Sequence, residues 1–316
     1  QAEFFRAVVN GDVASLREIQ KRDNLAEGTT TKGGYLVPEE YMNEVVRLIP
    51  DYGYARKLCR VLPIKRDKLN IPKITTTGIT AYWPGESGQI TASQPTFGQI
   101  TLDSKKAGII VPGTNELLDD TDLLLEILRQ LAAEQLAYAE DYQLFQGSGS
   151  SPAITGIFSS DNVTSVVMDT GKTTLADITA IDLIDMEDAI ASVHLKGAAY
   201  IMHRAAWKKV RGLKDDAGQF LHYRPDNTLN NYPYYKMETA PNNVSSSDSA
   251  QIALGNLKKS HIFGDRKQIT VAVGTEGTVG SDNLFEQDMF AIRFIERVDI
   301  QESNPTACVV LKTAAS

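Results

Sequence analysis

Residues 80–118 read TAYWPGESGQITASQPTFGQITLDSKKAGIIVPGTNELL, a stretch that mixes large apolar side chains with turn-forming residues. Tyr82, Trp83 and Phe97 stand among closely spaced prolines and glycines. From Gly98 to Asp103, apolar and polar residues alternate with the two-residue period of a strand that has one apolar face. The stretch therefore predicts a long ribbon punctuated by Gly and Pro, and not a segment of compact core.

A ribbon of two strands is at best marginally stable alone, because each leg has only one neighbour. At about 3.3 Å per residue, legs of a dozen or more residues would extend on the order of 40 Å. Trp83 and Phe97 near such a tip would be exposed, and exposed aromatic residues usually mark a contact with a partner. The ribbon could instead fold back on its own domain, and the residues alone leave both interpretations open.

The strongest helical pattern in the chain follows the ribbon, from about Thr121 to Gln146. Acidic and hydroxyl side chains at 119–122 can cap its first turn, and Gly147 ends it. At 1.5 Å per residue this helix would be roughly 40 Å long. Spacings of three and four predict one buried face, formed by Leu124, Leu128, Leu131, Gln135, Tyr138, Tyr142 and Phe145.

The rest of the chain mixes helical and strand patterns. Two short helical pieces are predicted within 1–22, a polar arm at 23–34 and a short helix at 39–48. Further helices are predicted at 182–192 and 205–213, and strands at 61–64, 69–74, 198–202, 251–254, 268–273, 290–298 and 307–312.

Composition excludes some classes of function. The net charge of −8 and the pI near 5.2 argue against broad nucleic-acid binding, because phosphate backbones are held by clustered Lys and Arg. Cys59 and Cys308 are the only cysteines, and they fit a reducing compartment better than a disulfide framework. No apolar run reaches membrane-spanning length. Because the chain begins at Gln1 and not at Met, we expect that residues upstream have been removed.

Motifs that would indicate an enzyme are absent or incomplete. Residues 170–174, TGKTT, imitate the end of a phosphate-binding loop, but Val166 occupies the position where that motif needs a Gly. The histidines lack metal-ligand spacing; they are His194, His203, His222 and His261. We therefore predict no catalytic, cofactor-binding or metal-binding residues, and we expect the protein not to be an enzyme.

Several blocks, in a fixed order, resemble the major capsid protein family of tailed bacteriophages, which has the Hong Kong 97-type fold. GGYLVPEEYMNEVV at 33–46 resembles the start of that family's ordered core, and residues 81–120 resemble its extended loop and return into a long spine helix. AEDYQLFQGSGSSPAITGIF at 139–158 resembles the end of the spine helix, and ACVV at 307–310 is similar to the closing segment. The ordered set covers most of the chain, from about Gly28 onward.

The resemblance implies an α+β fold of the Hong Kong 97 type, with an N-terminal arm, an extended β-hairpin loop, a peripheral domain with a long spine helix, and an axial domain. The implied segments are the N-terminal helical segment and arm (1–66), the extended loop (67–113), the spine helix (114–149), the axial domain (150–284) and the closing strands of the peripheral domain (285–316). Since the family's loop reaches a neighbouring subunit, Tyr82, Trp83, Glu86 and Phe97 are the expected inter-subunit contacts.

The function implied by the resemblance is that of a major capsid protein, which self-assembles as hexamers and pentamers into an icosahedral shell around double-stranded DNA. DNA would be enclosed without sequence-specific binding, and no cofactor or membrane is expected. The expected location is the virion, after assembly in the host cytoplasm, and such shells also use portal, scaffolding or decoration proteins. Two alternatives stay open: a cargo-enclosing nanocompartment of the same fold, and an α+β hydrolase without a recognisable motif.

Some members of this family cross-link covalently through a loop lysine, a strand asparagine and a nearby catalytic glutamate. Here the loop tip from Gly88 to Gln99 contains no Lys. Asp288 stands where the asparagine is wanted, and Ile295 falls near the place of the glutamate, next to Glu296. No catalytic residue is therefore carried over, and a shell held by noncovalent contacts is expected.

Overall fold

Within the residues that the structure describes, the backbone forms two six-stranded sheets connected by helices and short loops. The computed structural model describes residues 35–36, 53–76, 81, 83, 94–115, 124–151, 153–215, 217–221, 228–242, 245–266 and 269–315. The helices expected at 1–22 and 39–48 and the arm at 23–34 lie outside these residues.

The first sheet is built around one long strand, β15 (Met289–Glu302), which confirms the strand predicted at 290–298. Its other strands are β1 (Tyr35–Leu36), β2 (Arg60–Pro63), β5 (Lys105–Thr114), β11 (His261–Asp265) and β12 (Thr270–Gly274). β15 pairs with β5 along one edge, and with β12 and then β11 along the other, all antiparallel. Because successive side chains of a strand point to opposite faces, alternate residues of β15 from Phe290 to Ile300 lie on one face, and all of these are buried.

The second sheet has the order β6-β16-β10-β7-β9-β8. These strands are β6 (Thr164–Val167), β7 (Ala199–Met202), β8 (Thr228–Leu229), β9 (Tyr232–Lys236), β10 (Ala250–Gly255) and β16 (Cys308–Lys312). Every residue of β7 and β10 is buried. Such strands read as uninterrupted apolar runs because protein covers both faces of the sheet.

Helices cover the second sheet on both faces. On one face, α3 (Ala180–Asp188) and α5 (Arg204–Arg211) pack against alternate residues such as Tyr200 and Leu254. On the other face, Ile201 and Ala253 pack with the C-terminal end of the long helix α2 (Leu124–Gln146). The shorter elements are α1 (Ala55–Leu58), α4 (Ser192–Leu195), α6 (Leu257–Ser260), and the hairpin of β13 (Thr278–Val279) and β14 (Asp282–Asn283).

The chain passes between the two sheets three times, and two of these crossings are hydrogen-bonded to each other. The first of these two runs from β10 through α6 to β11, and the second from β15 to β16. The carbonyl oxygen of Ser260 accepts from the backbone N–H groups of Ser303, at 2.7 Å, and Asn304, at 3.1 Å. Each sheet thus contains strands from both implied segments, 150–284 and 285–316, and the domain boundaries themselves stay a prediction.

The long helix α2 is present, and Phe145 is buried as predicted, but most of the buried face predicted for this helix is wrong. Leu131, Tyr138 and Tyr142 are 49%, 51% and 41% exposed, while the side chain of Leu124 lies outside the described part. The buried residues are Arg129, Ala132, Ala133, Leu136, Ala137, Glu140, Asp141, Leu144 and Phe145. Small alanines allow close packing, since a Cβ placed on Gly53 would lie 3.2 Å from the Cβ of Ala137. The prediction assumed that large residues face inward and acidic ones outward.

Candidate assembly interface

The base of the ribbon belongs to the subunit's own core. β3 (Lys68–Thr76) and β4 (Thr96–Asp103) form an antiparallel pair separate from the two large sheets. Ile100 and Leu102 of β4 are buried and pack with Ile64 and Ile262. The alternation at 98–103 therefore correctly predicts one apolar face, and this face anchors the ribbon.

Polar contacts also tie the ribbon's base to β15. The backbone N–H of Asp103 donates to the Asp299 carboxylate at 2.7 Å. Asp67, just before β3, accepts from the guanidinium groups of Arg266 and of Arg297, the latter at 3.2 Å. Core packing and charged hydrogen bonds thus both hold the ribbon at its base.

The outer part of the ribbon exposes its aromatic residues. Trp83 is 98% exposed and Phe97 is 71% exposed. Phe97 lies on the face of β4 opposite Ile100 and Leu102, because residues of opposite parity on a strand point to opposite faces. Tyr82 and Glu86, which were also predicted as contacts, lie outside the described residues.

The spine helix α2 carries a second exposed apolar surface. Ile127, Leu131, Tyr138 and Tyr142 share one face, and each is at least 41% exposed. The rings of Tyr138 and Tyr142 stack with their centroids 6.5 Å apart. Large exposed apolar stripes are unusual on a protein that acts as a monomer, so this face is a second candidate contact.

A buried charge cluster joins α1, the spine helix and the first sheet. The Arg56 guanidinium on α1 contacts Glu140 of α2, Asp265 of β11 at 2.8 Å, and Glu296 of β15 at 3.7 Å. It also lies 5.0 Å from the centroid of the Phe263 ring. One cation therefore faces three carboxyl groups in a largely dry environment, and it holds three elements together.

Glu296 is the unusual member of this cluster. Its exposed fraction is 2%, and both carboxyl oxygens lack a hydrogen-bond partner among the residues that the structure describes. Burial raises the pKa of Glu296 well above its ordinary value, and the neighbouring Glu140 raises it further, against the opposing effect of Arg56. Burial without a hydrogen-bond partner thus favours the protonated form of the Glu296 carboxyl.

A cavity of about 390 Å³ adjoins the charge cluster. Glu140 and Glu296 line it together with apolar groups of Ile154 and Val298 and with Lys105. The Nζ of Lys105 donates to the carbonyl oxygen of Ala153 at 2.6 Å. Ile295, which falls near the place of the catalytic glutamate of cross-linking family members, is half-buried, and the adjacent Glu296 is the residue on the buried face of β15.

Asp288 lies apart from Glu296. Its carboxylate accepts a 2.6 Å hydrogen bond from the Asn115 side chain, while Glu296 is opposite Ala107, near the far end of the β15–β5 pairing. The two positions considered for cross-linking chemistry are therefore not brought together within one subunit. In the described part of the chain, no group of three His, Cys, Asp or Glu side chains could hold a metal ion.

No helix among the described residues is long and apolar enough to cross a membrane. Cys59 and Cys308 are both free and buried in the same core cluster. Burial raises the pKa of the Cys308 thiol to about 12, so this side chain acts as an apolar filler.

Solved structures of capsids share this fold. The capsid of a native GTA particle superposes with a TM-score of 0.72 at 17% identity, over 92% of this chain and 96% of that one. A structure from Gordonia phage Cozz gives a TM-score of 0.63 at 18% identity, over 84% of this chain and 87% of that one. The two sheets, the spine helix and the projecting ribbon are thus those of a Hong Kong 97-like, α+β capsid subunit.

Sequence comparison specifies the family. The model of the phage capsid family matches residues 33–313. The chain is 25% identical to the major capsid protein of Staphylococcus phage 80alpha over 246 residues, and this aligned region covers 74% of this chain and 72% of that protein. It is 20% identical to the major capsid protein of Klebsiella oxytoca phage phiKO2 over 294 residues, and this aligned region covers 88% of this chain and 68% of that protein.

This protein belongs to the phage capsid family. It is a major capsid protein of a phage-type shell, and its role is structural and not enzymatic. Proteins of this family assemble from copies of themselves and form the virion.

Proposed function

We propose that this chain assembles as hexamers and pentamers into an icosahedral shell that encloses double-stranded DNA, in the host cytoplasm, and that its ribbon packs over a neighbouring subunit. The observation that carries this proposal is the exposure of Trp83 and Phe97 on the outer part of the ribbon. Portal, scaffolding and decoration proteins are proposed as additional partners of the assembled shell.

The ribbon has a buried base and an exposed outer part, and this difference supports a contact between subunits. Ile100 and Leu102 give the base a core within its own chain, whereas Phe97, only a few residues away, faces outward. Burial of a large aromatic side chain contributes roughly 2–3 kcal/mol at about 25 cal/mol per Å². A neighbouring copy that covers Trp83 and Phe97 gains this free energy at every repeat of the contact in the shell. We propose Tyr82 and Glu86 as members of the same contact.

The charge of the chain supports enclosure of DNA without tight binding. A net charge of −8 provides no general attraction for phosphate groups. DNA would therefore be confined by the closed shell, and contacts between subunits would hold the shell together.

Deletion of residues 85–97 tests the proposal. The shortened chain should remain folded, because Ile100, Leu102 and the spine helix are retained, but the yield of particles should fall to background. Circular dichroism reports the fold, and light scattering with negative-stain microscopy reports the particles. Intact shells at the parent's yield would contradict the role of the ribbon, and a collapsed spectrum would show that the deleted residues belong to the subunit's core.

Point variants separate the aromatic contact from ribbon length. Trp83→Ser with Phe97→Ser removes apolar area from the exposed surface, so assembly should weaken while the unfolding midpoint of the subunit stays near the parent's. The matched control is Gln99→Ser, which shortens a polar side chain on the same face of β4. Equal particle yields for the double variant and the control variant would contradict the proposed contact.

A further inference from the structure

Helix α3 in the second sheet's covering layer has an exposed face that is both apolar and acidic. Ile181 and Ile184 are 66% and 51% exposed. Asp185 and Asp188 are exposed as well, and spacings of three and four place all of these side chains on one face. The buried side of the same helix, with Leu183 and Met186, already packs in the core. The outer face is thus left without a covering element in the described part of the chain.

Helix α5 and the turn after it have a face of the opposite charge. Arg204, Lys208 and Arg211 follow at spacings of four and three and are all exposed. Lys214 comes next, with its Nζ 4.9 Å from the centroid of the Phe220 ring, and Phe220 is itself 54% exposed. This face therefore combines basic groups with an exposed aromatic ring.

Helix α5 is held firmly in place. The Trp207 ring stacks on Tyr234 of β9 with a centroid separation of 4.1 Å, and Ala206 and Val210 are fully buried. The basic groups thus stand on a fixed support, which lowers the entropy cost of any contact that they make.

The charges on these two faces are mostly uncompensated by the residues that the structure describes. Arg204 pairs with Glu238 at 3.1 Å. For Asp185, Asp188, Lys208 and Arg211, the residues that the structure describes supply no ion-pair partner within 4 Å. Each face therefore keeps its charge available to another molecule.

We propose that the α3 face of one copy packs against the α5 face of the next copy. The faces have opposite charge, and exposed apolar side chains accompany the charges on each, which is a composition that suits a complementary interface. A second copy is the occupant because every copy carries both faces, and a contact between two different faces is head-to-tail, the type that closes rings. Nucleic acid would match only the basic face, and would leave Phe220 and the whole α3 face unexplained. The proposal rests on the proposed function and specifies one of its interfaces.

Charge reversal tests the pairing. Asp185→Lys with Asp188→Lys makes both faces basic, and Lys208→Glu with Arg211→Glu puts two acidic side chains on each face. Each pair should lower particle yield about tenfold or more, because like charges placed together across an interface are strongly unfavourable. The four-substitution chain restores opposite charges and should recover most of the yield. The two double variants, co-expressed, should also assemble with each other better than either does alone.

Charge-conserving substitutions are the matched control. Asp185→Glu with Asp188→Glu, and Lys208→Arg with Arg211→Lys, should assemble like the parent. Circular dichroism and the unfolding midpoint of every variant confirm that these exposed substitutions leave the fold intact.

The outcomes separate the interface from the function. If the parent forms particles and the four-substitution chain, although folded, is no better than either double variant, the pairing is wrong. Normal particles that have lost only their nucleic acid on Lys208→Glu with Arg211→Glu would assign the basic face to nucleic acid, and would also overturn the proposal. Failure of the parent to form any particle would contradict the proposed function, and this interface with it.

Discussion

The Nε of Arg56 donates to both carboxylate oxygens of Glu140, at 3.0 and 2.9 Å, and so joins the short helix α1 to the spine helix. The next residue of the spine helix, Asp141, accepts from the backbone N–H groups of Tyr54 and Ala55 at 3.0 and 2.7 Å. Two consecutive acids thus hold α1 by different means, one through charge and one by capping its backbone. The segment that enters α1 from the N-terminal side is fixed at this point.

Removal of the cation should destabilise the subunit strongly. Arg56→Met leaves Glu140, Asp265 and Glu296 close together without a positive partner, and the loss of one partner from a buried ion pair typically costs about 3–5 kcal/mol. Urea unfolding of the unassembled subunit measures the effect. Arg60→Met, an exposed position on β2, is the control and should change the free energy of unfolding by less than about 0.5 kcal/mol. Equal effects at the two positions would contradict the importance of the cluster.

Glu296 should make the subunit less stable at high pH. Its pKa in the folded chain lies well above the ordinary 4.5, so the folded chain holds this proton more tightly than the unfolded chain. The resulting stability is fully present below the unfolded-state pKa and is lost as the pH rises through the folded-state pKa, at about 1.4 kcal/mol for each pKa unit of difference.

Glu296→Gln keeps this side chain neutral and should flatten that pH dependence. Thermal unfolding between pH 5 and about pH 10 should show the variant gaining stability over the parent as the pH rises. The exposed Glu286→Gln serves as the control and should run parallel to the parent. Parallel curves for Glu296→Gln as well would mean that Glu296 is already ionised at the lower end of the range.

Paired substitutions in the spine helix should report its true buried face. Leu136 is 1% exposed, and Leu136→Ala should cost about 2–5 kcal/mol in the isolated subunit. Leu131→Ala, on the exposed face of the same helix, should lower the free energy of unfolding clearly less. Denaturant unfolding of the two variants measures both effects. A larger loss of stability for Leu131→Ala would support the buried face that the sequence predicts.

Assembled particles should dissociate to monomer in denaturing gels. The loop tip lacks a Lys, and Asp288, just before β15, lies far from Glu296 within that strand, so the described residues bring together no set of groups for a covalent link. A sample treated with a chemical cross-linker marks the position of covalent oligomers. High-mass bands that survive boiling in detergent without the reagent would contradict this expectation.

Strands were more predictable than the orientation of the long helix. Alternation is a local property, so Ile100 and Leu102 could be placed on one dry face from sequence alone. The face of α2 depends on what packs against it, and here alanines meet α1 while Glu140 and Asp141 are buried because they bind it. No local pattern distinguishes a buried, paired acid from a solvated one.

The candidate interface was partly accessible to sequence reasoning. Trp83 and Phe97 stand out because large aromatic residues rarely occur in a segment so rich in Gly and Pro, and the structure leaves both exposed. Glu296 was passed over in favour of Ile295, although a period-two count from Phe290 through Phe294 places Glu296 on the buried side. The exposed faces of α3 and α5 were not predicted as contacts, because their complementary charges become apparent only when the two helices are compared.

The attachment of the ribbon has a mechanical consequence. β3 and β4 run along the ribbon, so a pull on its outer end acts parallel to the strands and places both legs under tension. The load then passes through Asp103 to Asp299, and through Asp67 to Arg297, into β15. That strand has paired neighbours on both edges along much of its length. Tension applied to the ribbon is thus delivered to the element of the first sheet that is best able to spread it.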